Sequence, residues 1–152
     1  MTYGIREATV DDADDLAQLR WRMRVEKRPF EGDYEEYRQG FARWWVDRQG
    51  RTRAVVGTDA GRVVGMGFLA VVNRVPDPGA LERQHGDVQS VFVLPEHRGQ
   101  GLGARIVASL VEIARETSCD RVNVHSGRRA VELYERLGFE HAHHLMNLDL
   151  RA

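Results

Sequence analysis

Residues 91–103 read Val91-Phe-Val-Leu-Pro-Glu-His-Arg-Gly-Gln-Gly-Leu-Gly103. An apolar strand is followed by a Pro break, an Arg and a glycine-spaced turn that opens into an amphipathic helix. A glycine turn at a helix start gathers unpaired backbone N–H groups at one point, and the positive end of the helix dipole adds to them. Such a corner is a site for a phosphate or pyrophosphate. The segment therefore implies an anion-bearing ligand before any side chain has a role.

Around it lies an ordinary composition. The 152 residues suffice for one domain over 1–152, with 42% hydrophobic and 30% charged residues. A net charge of −1, from 22 basic and 23 acidic residues, gives no field favouring nucleic acid or an anionic membrane. Lys27 is the only lysine. One cysteine, Cys119, excludes an intrachain disulfide and reads as a half-buried thiol. No apolar run has signal-peptide or membrane-span length, so the chain reads as cytoplasmic by elimination.

Ile5 to Ala8 reads as an opening strand. Thr9, Asp11 and Asp12 cap a helix with Leu16, Leu19 and Met23 on its apolar face, broken by Pro29 and Gly32. Asp33 and Glu36 have capping-box spacing, and Tyr37, Phe41, Trp44 and Trp45 form the core-facing stripe of a second helix ending near Gly50. Ala54 to Val56 and Val63 to Val72 flank Asp59-Ala-Gly61, a hairpin signal. Residues 73–86 read as the longest loop, and a strand from Asp87 to Leu94 leads into the glycine turn. The next helix buries Leu102, Ile106, Leu110 and Ile113. After a short strand at Val122 to Val124, a helix from about Arg128 to Leu137 ends at Gly138. Phe139 onward and Leu145 to Leu150 read as closing strands. The order β-α-α-β-β-β-α-β-α-β-β implies an α/β (α+β) fold: a mixed, mostly antiparallel sheet of six to seven strands with about four helices on both faces.

Three phosphate motifs compete for the turn. A P-loop needs Lys-Ser/Thr after its last glycine, whereas Ala104-Arg105 follows here. A dinucleotide fingerprint needs G-x-G-x-x-G, whereas Gly99, Gly101 and Gly103 are spaced G-x-G-x-G. Arg98-Gly-Gln-Gly-Leu-Gly103 resembles the R-x-x-G-x-G signature of the GNAT superfamily of N-acetyltransferases. Ala130-Val-Glu-Leu-Tyr-Glu-Arg-Leu-Gly-Phe139 resembles that superfamily's A-x-x-L-Y-E-x-x-G-F segment, and the element order is similar over essentially the whole chain. His125 to Phe139 further resembles a bacterial subgroup whose substrates are mostly unassigned. Many members carry Asn three residues before the motif alanine; this chain has Gly127 there, with Ser126 beside it as an N-cap candidate.

The resemblance implies acetyl-CoA as acyl donor and a primary amine, on a small molecule or a protein, as acceptor. It implies a pyrophosphate on the backbone N–H groups of Gln100, Gly101, Leu102, Gly103 and Ala104, with Arg98 and Gly99 closing the turn and Ala130 among the contacts. It implies a pantetheine arm paired like a strand with Val91, Phe92 and Val93, and a Val93 N–H polarising the thioester carbonyl. Tyr134 becomes the acid toward the departing thiolate. For the base, Asp87 is preferred, with Glu82 and His85 in the neighbouring loop as alternatives. His125 reads either as a substrate contact or as a structural histidine. His141, His143 and His144 do not form a metal set, because a strand would put 144 on the opposite face and no carboxylate or Cys completes it. No metal is expected. Dimers through the C-terminal strands are common in the superfamily. The other function class is a non-catalytic acyl-CoA-binding or regulatory module.

Overall fold

Valine-rich runs that alternate or sit buried on both faces form strands, and the longest of them lie side by side in the computed structural model, which describes residues 2–151. The ends of the expected 1–152 domain, Met1 and Ala152, lie outside the described residues. The strands are β1 (Tyr3–Glu7), β2 (Thr52–Asp59), β3 (Arg62–Arg74), β4 (Arg83–Val93) and β5 (Val122–Val124). They form one sheet in the order β1-β2-β3-β4-β5. Pairs β1 to β4 are antiparallel, and β4 with β5 is parallel. The hairpin at Asp59-Ala-Gly61 turns on positive φ at Ala60 (50°) and Gly61 (84°), as a type I′ turn requires.

Helices α1 (Ala13–Lys27) and α2 (Tyr34–Asp47) lie on one face. Phe68 of β3 meets the rings of Phe41, Trp44 and Trp45 there. Helix α3 (Leu102–Glu116) covers the other face, burying Leu102, Ile106, Leu110 and Ile113. It comes close because β2 and β3 present glycines beneath it. A Cβ on Gly57 would lie 2.9 Å from Leu102 Cδ1, and one on Gly67 2.8 Å from Ile106 Cγ2. The short helix α4 (Val131–Arg136) ends in a Schellman motif. Gly138 has φ 95°, its N–H donates to Glu135 O at 3.0 Å, and Phe139 N–H donates to Tyr134 O at 3.0 Å.

Three expectations are corrected. The loop at 73–86 shrinks to residues 75–82, because β3 and β4 extend as a ladder from Val71↔Gly86 to Arg74↔Arg83. The closing strands after Phe139 are absent among the described residues, so the sheet has five strands. Leu145, Met146, Leu148 and Leu150 stay exposed at 62–90%; their alternation suits a strand, but no neighbouring strand completes a ladder. Ser126 caps no helix: its hydroxyl donates to Gly127 O, and Gly127 is the N-cap of the 3₁₀ turn Arg128–Ala130 ahead of α4.

The start of α1 rests on Asp12, which is buried. Its carboxylate accepts from Thr9 N–H and from both Nη groups of Arg6, each at 2.8 Å. The Arg6 guanidinium beside Asp12, opposed by burial and helped by Thr9, holds its carboxyl below the usual carboxylate range. The Asp12 contribution is therefore present above about pH 4, where an unfolded aspartate is ionised, and is lost as pH falls through the lowered native value. Asp12→Asn is expected to cost about 2 kcal/mol near neutrality. Urea denaturation should show the variant losing less stability than the parent as pH drops through that window.

Candidate functional site

Strand β4 changes partner halfway along. Its parallel ladder with β5 covers only Gly86, Asp87 and Val88. Beyond it, the register with β3 passes from Phe68↔Gln89 to Met66↔Phe92, so Ser90 and Val91 oppose the single residue Gly67. This is a β-bulge, and Ser90 takes φ 51° in it. The bulge shifts the alternation. Leu94 N–H donates to Val64 O of β3 at 2.9 Å, which turns the N–H and C=O of Val93 and Val91 toward the edge that β5 has left.

The glycine turn lies just past that edge. After a 3₁₀ turn at Pro95–His97, Gly99 and Gly101 take φ 77° and 78°. Gly101 is the N-cap of α3 and has no side chain to cap with. The first intrahelical bond comes from Arg105 N–H to Gly101 O at 3.2 Å, so no side chain caps the N–H groups of Leu102, Gly103 and Ala104. Together with β4 and α4 the turn encloses a cavity of about 960 Å³. Its walls carry Val91, Phe92, Val93, Arg98, Gly99, Gly101, Leu102, Gly103, Ala104 and Ala130. Of the residues expected around an anionic ligand, only Gln100 is not part of the wall.

Arg98 has a different immediate job from the one expected. Its Nε–H donates to Val93 O at 2.8 Å, and its two Nη groups donate to Glu26 Oε1 and Oε2 at 2.8 and 2.9 Å. Its guanidinium also lies over the Phe92 ring at 5.3 Å. Arg98 thus ties the last turn of α1 to the open edge of β4. Sequence reasoning missed Glu26, 72 residues away, and also Arg129 and Arg136, which line the same cavity. Arg129 and Arg136 are seven apart, a spacing that puts two helical residues on one face and could have flagged them.

The other expected residues are spread out. Tyr134 is buried against Phe139, with ring centroids 5.4 Å apart. It lines an adjoining cavity of about 550 Å³ with Val122, Val124 and Val131, whereas Leu133 and Leu137 face the glycine-turn cavity. Tyr134 therefore does not share the face of Leu133 and Leu137. Burial pushes its hydroxyl above the usual tyrosine value. His85 and Asp87 share the α1–α2 face of β4, with His85 Nε2 3.6 Å from Asp87 Oδ1. His85 Nδ1 is buried and has no hydrogen-bond partner among the described residues. Glu82 lies before β4 and lines a separate cleft with Asn73 and Ser118. His125 is exposed and lines neither of the two cavities. His141 and His143 face the Tyr134 cavity from an irregular segment, and His144 Nε2 lies 3.2 Å from Arg121 Nη1. Among the described residues no group of three or more His, Cys, Asp or Glu is arranged to hold a metal, and no helix is long and apolar enough to cross a membrane.

A mixed sheet parted beside a glycine-started helix defines the class: an α/β domain whose fourth strand has an open edge running into an uncapped helix start. The chain belongs to the acetyltransferase (GNAT) family, whose sequence model matches residues 13–139 and whose members use acetyl-CoA. It is 36% identical over 90 residues to glucosamine 6-phosphate N-acetyltransferase of Trypanosoma brucei brucei, covering 59% of each chain. It is 30% identical to an N-acetyltransferase of Methanocaldococcus jannaschii, covering 91% of this chain and 61% of that one. The chain thus spans about three fifths of the length of these two relatives. It is 28% identical to aminoalkylphosphonate N-acetyltransferase of Salmonella typhimurium, covering 91% of this chain and 86% of the relative. Among solved structures, a predicted acetyltransferase of Clostridium acetobutylicum crystallised with acetyl-CoA superposes with a TM-score of 0.81 at 16% identity, covering 98% and 97% of the two chains. That likeness shows the fold.

Gly101 and Gly103 of the turn are expected to respond differently. Gly101→Ala puts a Cβ at a left-handed φ and should lower the unfolding free energy by about 1–2 kcal/mol. Gly103 is helical, and its nearest neighbours to a Cβ are 3.9 Å away. Gly103→Ala should therefore not lower stability, and chemical denaturation of the two variants side by side checks the contrast.

Proposed function

We propose that the chain, as one domain, is an acetyl-CoA-dependent N-acetyltransferase that acts on a primary amine by direct attack in a ternary complex. The observation that carries this is the geometry of β4: an open edge at Val91 and Val93 running into an uncapped helix start. A pantetheine arm has amides that can pair with such an edge, and its pyrophosphate suits backbone N–H groups at a helix dipole. The residues present fit the cofactor. Leu102, Gly103 and Ala104 would hold the pyrophosphate, and Arg129 and Arg136, which make no ion pair among the described residues, supply positive charge on the same wall. When bound, acetyl-CoA supplies an activated thioester.

The chain's own groups do the rest. The N–H of Val93 faces the open edge and can donate to the thioester carbonyl oxygen as negative charge grows there. Arg98 holds the carbonyl of Val93, in the next peptide along, and so anchors the strand end beside that N–H. The acceptor amine must shed a proton, which costs about 4.6 kcal/mol at pH 7 for a lysine-like amine. Asp87, half-exposed on β4, accepts it directly or through water. His85 Nε2 lies 3.6 Å from that carboxylate on the same face. Tyr134 serves the departing sulfur as a hydrogen-bond donor. With its hydroxyl raised by burial and a thiol near 8.5, full proton transfer to the thiolate is uphill by more than roughly 2 kcal/mol. A raised value also keeps the phenol protonated across the working pH range, so its donor function does not titrate there.

Tyr134 lines a different cavity from the glycine turn, and this favours a second reading: an acyl-CoA-binding module without turnover. Thiol release from acetyl-CoA, measured over a panel of primary amines, separates the two. Release with any amine supports the enzyme; binding of acetyl-CoA by calorimetry with no release over the panel supports the module. For the enzyme, Tyr134→Phe should lower kcat at least about tenfold with little change in acetyl-CoA affinity. Unchanged turnover would remove Tyr134 from the mechanism. Asp87→Asn should lower kcat/KM most at low pH, where the amine arrives protonated; a uniform loss at all pH would assign the proton to another group.

A further inference from the structure

The glycine-turn cavity meets a carboxylate that does not belong to its walls. Three guanidinium groups line the cavity, those of Arg98, Arg129 and Arg136, against the single carboxylate of Glu132. Glu26 comes in from the last turn of α1 and takes both Nη groups of Arg98, at 2.8 and 2.9 Å. Its bond to Arg98, opposed by desolvation and helped by the charges of Arg98, Arg22 and Arg129, holds its carboxyl below the usual carboxylate value. Arg129 belongs to the 3₁₀ turn ahead of α4, so its charge reaches Glu26 from a different wall than the one that bears Arg98.

Neither fold stability nor helix chemistry explains that placement. Glu26 and Arg98 are nearly half exposed, at 46% and 43%, and an exposed ion pair adds little stability. A carboxylate in the last turn of a helix also stands against the negative end of the helix dipole. Arg24 and Lys27, in the same turn, carry the sign that the dipole favours. Glu26 is therefore placed for Arg98 rather than for α1. Two oxygens on two Nη groups is also the geometry in which a guanidinium takes a phosphate. The Nε–H of Arg98 stays on Val93 O, and its guanidinium stays over the Phe92 ring. One anion can thus replace another at the Nη groups without loosening the arginine.

We propose that Glu26 is a stand-in anion: its carboxylate holds the Nη face of Arg98, and a phosphate group of a diphosphate-bearing ligand competes for that face and displaces it. Glu26 is then a positioning residue that acts through Arg98 and lowers the affinity of the cavity for its ligand. The proposal rests on the reading of this cavity as the acyl-donor site.

The test is calorimetric binding of CoA to the full chain at ionic strengths of about 0.02 and 0.2 M. The variants are Glu26→Gln, Glu26→Ala and, as a control for net charge, Glu96→Gln. Glu96 is exposed in the turn Pro95–His97 and acts on Arg98 through its charge alone. At the lower ionic strength, Glu26→Gln should bind CoA about three- to tenfold more tightly than the parent, and the gain should shrink at the higher one. Glu26→Ala should show a gain of the same sign, and Glu96→Gln a gain of no more than about twofold. A tie that merely supports the fold would give the opposite sign or no change, and no dependence on salt. Equal or weaker binding by both Glu26 variants, a gain that ignores salt, or an equal gain in Glu96→Gln would each overturn the proposal. If the parent binds CoA and the Glu26 variants gain nothing, this proposal fails alone. If neither the parent nor any variant binds CoA, the donor-site reading fails and takes the proposal with it.

Discussion

Backbone polar groups must be paired or solvated, and β4 leaves a row of them open. The ladder with β5 stops at Val88, and the bulge at Ser90 turns the polar groups of Val91 and Val93 to the vacated side. That edge, whose Val93 carbonyl Arg98 claims, is what the surrounding elements serve. The glycines at 57, 65 and 67 let α3 settle onto the sheet, placing its uncapped start beside the edge. Arg98 pins the Val93 carbonyl, and Glu26 pins Arg98, so α1 is tied to the same point. α4 closes the far wall with Leu133 and Leu137. An edge left bare would invite pairing with another strand, and enclosing it in a cavity restricts it to a narrow ligand.

The two faces of the sheet are packed by opposite rules. On the α3 side, small residues bring backbone and helix together, and aliphatic side chains interlock. On the α1–α2 side, large rings hold the helices off the strands and leave space between them. Rigid support lies under the open edge of β4, and room lies on the face of Asp87.

Much of this was legible in the sequence, and for local reasons. The period of Leu102, Ile106, Leu110 and Ile113, the glycines of the turn, the Asp59-Ala-Gly61 hairpin and the terminating Gly138 each act within a few residues. What escaped notice depended on distant partners. Nothing near Ser90 announces a bulge, which exists only as a register against β3. Arg98 carries no sign that Glu26 will claim it. The outer ends of β3 and β4 read as loop because Asn73, Arg74, Arg83 and Gln84 are polar, yet a two-stranded extension in water needs no apolar face. Conversely, Met146, Leu148 and Leu150 alternate like a strand, but alternation without a neighbouring ladder leaves them exposed. Leu133 and Tyr134 are neighbours on a short helix, and nothing local decides which of the two cavities each one enters.

The lone lysine gains meaning from where it stands. Lys27 closes α1, next to Glu26, and every other strongly basic side chain of the 22 is arginine. A guanidinium stays protonated at any working pH and does not attack a thioester, whereas a deprotonated ε-amine does. A surface of this kind offers charge for solubility and ion pairing while presenting a single side-chain amine to an activated acyl group. Under the proposed chemistry, the protein is chemically inert toward its own donor at all side-chain amines but one, which makes the acylation state of Lys27 a single, readable record of stray transfer.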